Sequence, residues 1–231
     1  YFIRERNEAV KPQLPDGWFD PVEREDDLPM VTFWPNGPDS TALKLKVTGY
    51  DSSDTEDFTA LEIRARQRQW EILDYFQRQK REPWLFDHAS PRIGLRETRR
   101  VAGDYVLTVD DVRAGREFDD AIARGVFFLD GMRPDDEKWT YLLSKVEQQI
   151  PPYHIPYRSL IARDADNLLT AGRCFSCDQA TLSSARVMTT CAMMGQAAGI
   201  AAAWSAQRDC MPRDLKGVEL RRHVENLGAE L

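Results

Sequence analysis

The residues best suited to chemistry fall in two runs of this 231-residue chain. The first is His154-Ile-Pro-Tyr157-Arg158. Read as an extended strand, it puts His154 and Arg158 on one face. An imidazole there takes a proton from a C–H–O–H or C–H–N–H donor, while a guanidinium holds a carboxylate or a polarised oxygen. The bland alternative is an edge-strand histidine packed on aromatics. The second run is Ala171-Gly172-Arg173-Cys174-Phe-Ser-Cys177, followed by Ser183, Ser184 and a long alanine-rich segment. Cys174 and Cys177 have the spacing of a dithiol or half a metal site, or they are two soft residues in a turn. A structural zinc site wants a second pair at similar spacing, and Cys191 and Cys210 do not supply one, so no metal is expected. Arg92, Arg96 and Arg100 share a face if their segment is a strand, making either an anion site or a charged sheet edge.

The elements that must position these groups follow from periodicity. Leu43, Leu45 and Val47 alternate with polar residues, as in a half-buried strand. From Asp57 to about Lys80 the apolar spacing is three and four, an amphipathic helix that stops before Pro83. RIGLRETRRVAGDYVLT reads as two strands joined at Gly103-Asp104, and Thr108 with Asp111 as the opening of a short helix. EFDDAIARG reads as a second short helix capped by Gly125, YHIPYRSLI as an edge strand, and NLLTAGR as a short buried strand. One long helix is expected from Ser184 to Gln207, with Ser183 or Ser184 as its N-cap, and a charged helix from Val218 to Leu227. Residues 1–40, rich in Pro, Asp and Glu with Trp18, Phe19, Phe33 and Trp34, read as an irregular segment laid over something else.

Val187 to Trp204 carries no charge. It reaches the lower edge of membrane-span length, but Thr189, Thr190, Gln196 and two glycines make it too polar to insert. Ala192, Gly195, Gly199 and Ala202 form a nearly bare stripe. Glycine costs about 1 kcal/mol against alanine inside a helix, so the stripe implies close backbone approach. A helix start after Ala171-Gly172-Arg173 offers free N–H groups and partial positive charge to an electron-rich group. The net charge of −7 excludes a general electrostatic case for nucleic acid. Four cysteines confined to the last third favour a reducing, cytoplasmic compartment. The chain begins at Tyr1 rather than Met, leaving room for a preceding segment.

The runs VTGYDSSD, GLRETRRVAGDYVLTVDDV, FDDAIARG, IPYRSLI, NLLTAGRCFS and SSARVMTTCAMMGQAAGIAAA, in this order, resemble the bacterial FAD-dependent oxidoreductases of glutathione-reductase-like fold. The resemblance covers Leu43 to the C-terminus. It implies an α/β chain (α+β within this portion) with a mixed or antiparallel substrate-domain sheet. The implied layout is an extended segment 1–40, a substrate-domain portion 41–160 and a C-terminal FAD-binding lobe 161–231. It implies FAD as cofactor and a small organic substrate that gives hydride to flavin N5, to which His154, read from the residues themselves, adds a proton acceptor. Tyr157, Arg158 and Arg96 fall on the substrate side; Ala171, Gly172, Arg173, Cys174, Ser184, Ala185, Arg186, Val187 and Met188 fall on the cofactor side. Arg186 at the helix start would stabilise the reduced flavin anion by about 1–2 kcal/mol, a few tens of millivolts; its other reading is a solvated surface charge.

Two departures stand out. The G-x-G-x-x-G unit of such enzymes is missing from this sequence, so a separate segment or partner chain is expected to carry it. Gln179 and Thr189 also stand where relatives have His and Pro. The alternatives are a non-catalytic interaction subunit of a split flavoenzyme and a C-x-x-C dithiol protein.

Overall fold

Asp54 accepts hydrogen bonds from the amides of Glu56 and Asp57 and so starts the longest helix, α1 (Thr55–Arg78). This is the computed structural model of the chain; it describes residues 1–6, 8–17 and 20–231. Trp18 and Phe19 lie outside the described residues. The chain divides into two compact units, Tyr1–Leu95 with Arg133–Thr140, and Arg96–Met132 with Tyr141–Leu231. The main boundary between these compact units lies at Leu95 and Arg96.

In the first unit, α1 turns Leu61, Ala65, Ile72, Leu73 and Phe76 inward. Ile72, Leu73 and Phe76 meet a four-stranded antiparallel sheet of order β2-β3-β1-β4. The strands are β1 (Phe2–Glu5), β2 (Val31–Pro35), β3 (Ser40–Leu45) and β4 (Trp84–His88). Residues 1–40 are thus not merely irregular: they give β1 and β2 and begin β3. Their Pro and acid content hides this, because pairing with β3 and β4 decides the conformation. Trp70 stacks on Phe86 at 4.8 Å and Phe76 tilts against Trp84 at 4.7 Å, a large apolar area for a small sheet.

The second unit is built on an antiparallel ribbon, β5 (Ala121–Gly125) and β6 (Tyr153–Pro156). Four helices accompany it: α2 (Val109–Arg113), α3 (Gln179–Ala185), α4 (Met188–Arg208) and α5 (Gly217–Asn226). Helices and antiparallel sheets together make the α/β class expected from the sequence. Thr108 and Asp111 form a reciprocal capping box at the start of α2.

Four local expectations fail for physical reasons. The run 121–125 is a strand, not a helix, because Ala121, Ile122 and Ala123 are buried on both faces and no period shows. Gly125 is there for closeness: a Cβ would sit 2.2 Å from the Tyr153 ring. The segment 92–107 forms no hairpin. Its amides go elsewhere, Val101 to the Cys174 carbonyl, Asp104 to Ile161, Tyr105 to Arg158 and Leu107 to Ser176. Gly103 likewise serves approach, its absent Cβ lying 2.7 Å from that of Ser176. Residues 167–173 form only a single bridge, Leu169 to Ile161. Finally, β6 ends at Pro156 and a 3-10 turn takes Tyr157–Ser159, so His154 and Arg158 do not share a strand face.

Candidate functional site

The expected long helix is two. Asp178 caps α3 through the amide of Thr181 at 2.7 Å and also holds the Val109 amide at 2.7 Å. Ser183 and Ser184 are not caps: they lie buried inside α3, Ser183 bonded to the Ala180 carbonyl and Ser184 to the Phe127 carbonyl. Tyr153 Oη lies 2.9 Å from Ser184 Oγ, and burial raises that phenol to about 12. Val187, β-branched and extended, breaks the helix and starts α4 without a side-chain cap. The first N–H groups of α4 therefore keep their donor capacity, at the positive end of a 21-residue helix.

Against this first turn rests the 3-10 turn Gly172–Cys174. Gly172 has φ +74°, the left-handed region, and a Cβ built on it would lie 3.7 Å from Cys191 Sγ. Arg173 and Cys174 are exposed, as are Met188 and Thr189. Ala171 and Val187 are half-buried between them, and Ala185 is fully buried beneath.

Arg186, at the joint of α3 and α4, is only 11% exposed. Its Nη2 donates to the Asp130 carbonyl at 2.7 Å, and its Nη1 lies 3.5 Å from Glu97. Burial and then Arg96 pull its pKa below the ordinary arginine value; Glu97 and Asp130 oppose them. Arg96 in turn bonds Asp130 at 3.1 Å, and Gln179 donates to Glu97 at 2.8 Å. Arg186 is thus neither a solvated surface charge nor free.

The structure gathers Ala171 to Cys174, Ser184 to Met188 and Arg96 around one joint. It does not gather His154, Tyr157 or Arg158 there. Strand alternation sends Tyr153 to α3 and His154 to the opposite face. There Nδ1 accepts the Phe118 amide at 3.2 Å, beside Arg221 and Glu225 of α5. Burial lowers the imidazole below 6.5, with Arg221 adding and Glu117 opposing. Tyr157 is 1% exposed and donates to the Pro212 carbonyl at 2.8 Å. Arg158 grips Asp120 with two bonds, 2.9 and 3.2 Å.

A family model described as FAD dependent oxidoreductase matches residues 4–224. The chain belongs to that family. No curated protein and no solved structure matches it.

FAD is accordingly the cofactor of this oxidoreductase, and the joint fits such a group. It offers a left-handed glycine and uncapped helix amides at one accessible edge, the donor set that an electron-rich ring edge or a phosphate accepts. Among the described residues no helix of the oxidoreductase is long and apolar enough to span a membrane. No group of three His, Cys, Asp or Glu there is placed to hold a metal.

Sequence reasoning on this family member missed Glu97, Asp130 and Cys191. Glu97 sits within Arg-Glu-Thr-Arg-Arg, where the arginines draw attention first. Asp130 carries no local signal. Cys191 is hidden inside a helical run, and only the fold brings it against Gly172.

Proposed function

We propose that the chain forms one side of an FAD site in a glutathione-reductase-like enzyme, and that a segment or partner chain bearing G-x-G-x-x-G forms the other. When bound, FAD supplies the two-electron acceptor, with hydride leaving a small organic substrate for flavin N5. The observation that carries this reading is Gly172, in a left-handed conformation, set against the uncapped start of α4.

Within the proposal, the amides of Met188, Thr189 and Thr190 face the electron-rich edge of the ring and stabilise the charge it gains on reduction. Gly172 and Arg173 hold the ribityl and pyrophosphate portion. Arg186 acts from behind, with Glu97 and Asp130 fixing its guanidinium. Arg96, tied to the same network through Asp130, is the nearest expected substrate residue. The roles of His154 as base and of Tyr157 and Arg158 as substrate contacts draw less support, since each is engaged elsewhere.

The outer face of α4 supports the two-part assembly. Ala192, Gly195, Gly199 and Ala202 are exposed, and nothing lies within 4 Å of where the glycine Cβ atoms would be. The same bare face favours a second reading, a non-catalytic interaction subunit. Titration with FAD, followed by flavin fluorescence, separates the two. Saturable quenching that weakens at least tenfold in Gly172→Val is expected. Unchanged fluorescence, for the chain alone and for the material that co-purifies with it, removes the flavin role and leaves the second reading.

A further inference from the structure

The two cysteines closest in sequence face different surroundings. Cys174 is exposed at the end of the 3-10 turn, whereas Cys177 is 6% exposed in the core, on the segment bridged to Leu107. Burial pushes the Cys177 thiol up to about 12, so it yields little thiolate at neutral pH. The thiol that shares the surroundings of Cys174 comes from α4. Cys191 Sγ lies 3.7 Å, and its Cβ 3.8 Å, from where a Gly172 Cβ would be, so the turn that ends in Cys174 rests on Cys191. Burial raises the Cys191 thiol above its ordinary value, with Arg173 opposing and Cys174 adding. Cys191 is half-buried, its Sγ 3.8 Å from the Ala185 carbonyl; Cys174 Sγ lies 3.4 Å from the Ala171 carbonyl.

We propose that Cys174 and Cys191 are a redox-active thiol pair, joined by exchange with a low-molecular-weight disulfide, and that the C-x-x-C spacing is incidental. The exposed Cys174 thiolate attacks one sulfur of the small disulfide. An S–S bond forms there and one thiolate leaves, taking a proton from water. Cys191 then loses its proton to solvent and attacks the Cys174 sulfur, expelling the second small thiolate. Two protein thiols and one disulfide become one protein disulfide and two small thiols. The bridge ties the Gly172 turn to the first turn of α4. The chemistry does not rest on the flavin reading, because it needs no flavin.

The test uses the whole chain treated with glutathione disulfide, then alkylated, digested without reductant and mapped by mass spectrometry. A peptide linking Cys174 to Cys191 is expected in the native chain and in Cys177→Ser, with a rise in melting temperature that dithiothreitol reverses. In Cys191→Ser the reaction stops at a glutathione adduct on Cys174. A Cys174–Cys177 bridge overturns the proposal, as does a Cys174 adduct that persists in the native chain, or no reaction at all. Should Cys191→Ser fail to fold, the map of the native chain and of Cys177→Ser still decides. Quenching of FAD fluorescence reports separately on the flavin site.

Discussion

At the joint of α3 and α4, Arg186 has two carboxylates and a carbonyl for company and almost no water. Removing it leaves Asp130 and Glu97 short of a donor in a partly buried place. Arg186→Ala should cost about 1–3 kcal/mol, read as a fall in the urea midpoint with its slope unchanged; an unaltered midpoint would show that the contacts carry no weight. His154 gives a pH signature. Its folded pKa lies below the ordinary 6.5, so the unfolded chain binds the proton more readily. Stability should be level above about pH 6.5 and decline as pH drops toward the lowered folded value. Melting temperatures from pH 7.5 to 5 should show this decline in the native chain and a shallower one in His154→Asn. Parallel curves would sink the idea.

Among the elements, α1, α2, β3 and α5 were legible because each announces itself locally, through a cap or a period. Apolar spacing of three and four marks α1, and Thr108 with Asp111 opens α2. The ribbon was not legible: Ala121–Ala123 face protein on both sides, and Gly125 imitates a helix end. Nor was the break at Val187, where no proline or glycine marks the change. The turn Ala171-Gly172-Arg173 could be found in the sequence because a glycine there marks a backbone conformation that other residues avoid, as its φ of +74° bears out. The partners of Arg186 could not, since Glu97 and Asp130 lie more than 50 residues from it in the chain. The small-residue stripe of α4 was read correctly as bare but not as outward-facing; the buried seam is Thr190, Met194, Ala197, Ala201 and Ser205. Gly195→Ala and Gly199→Ala should therefore each stabilise the isolated chain by up to about 1 kcal/mol. Both should weaken FAD uptake if the stripe receives the nucleotide-binding piece. A gain in stability with uptake untouched would free the face from that role.

At the scale of the molecule, the described residues form two apolar clusters, one around Ile3, Leu43, Ile72 and Leu73, the other around Ile122, Tyr153, Leu182 and Met194. A methyl group added at Gly125 drives into the Tyr153 ring and disturbs only the second. Gly125→Ala should lose several kcal/mol of protection in amide exchange (about 1–3 kcal/mol or more by overpacking) across β5, β6 and α4. Amides of α1 should keep theirs. Equal loss in both would argue that the clusters open together.

Residues 101–107 run between two later stretches, bonded to Arg158 and Ile161 on one hand and to Cys174 and Ser176 on the other. Neither stretch exists while a ribosome is still making residue 150. The middle of this chain must therefore wait, uncovered, for its last third to emerge, and its burial comes late in synthesis. Leu107, which the finished fold covers completely, stays without that cover until then.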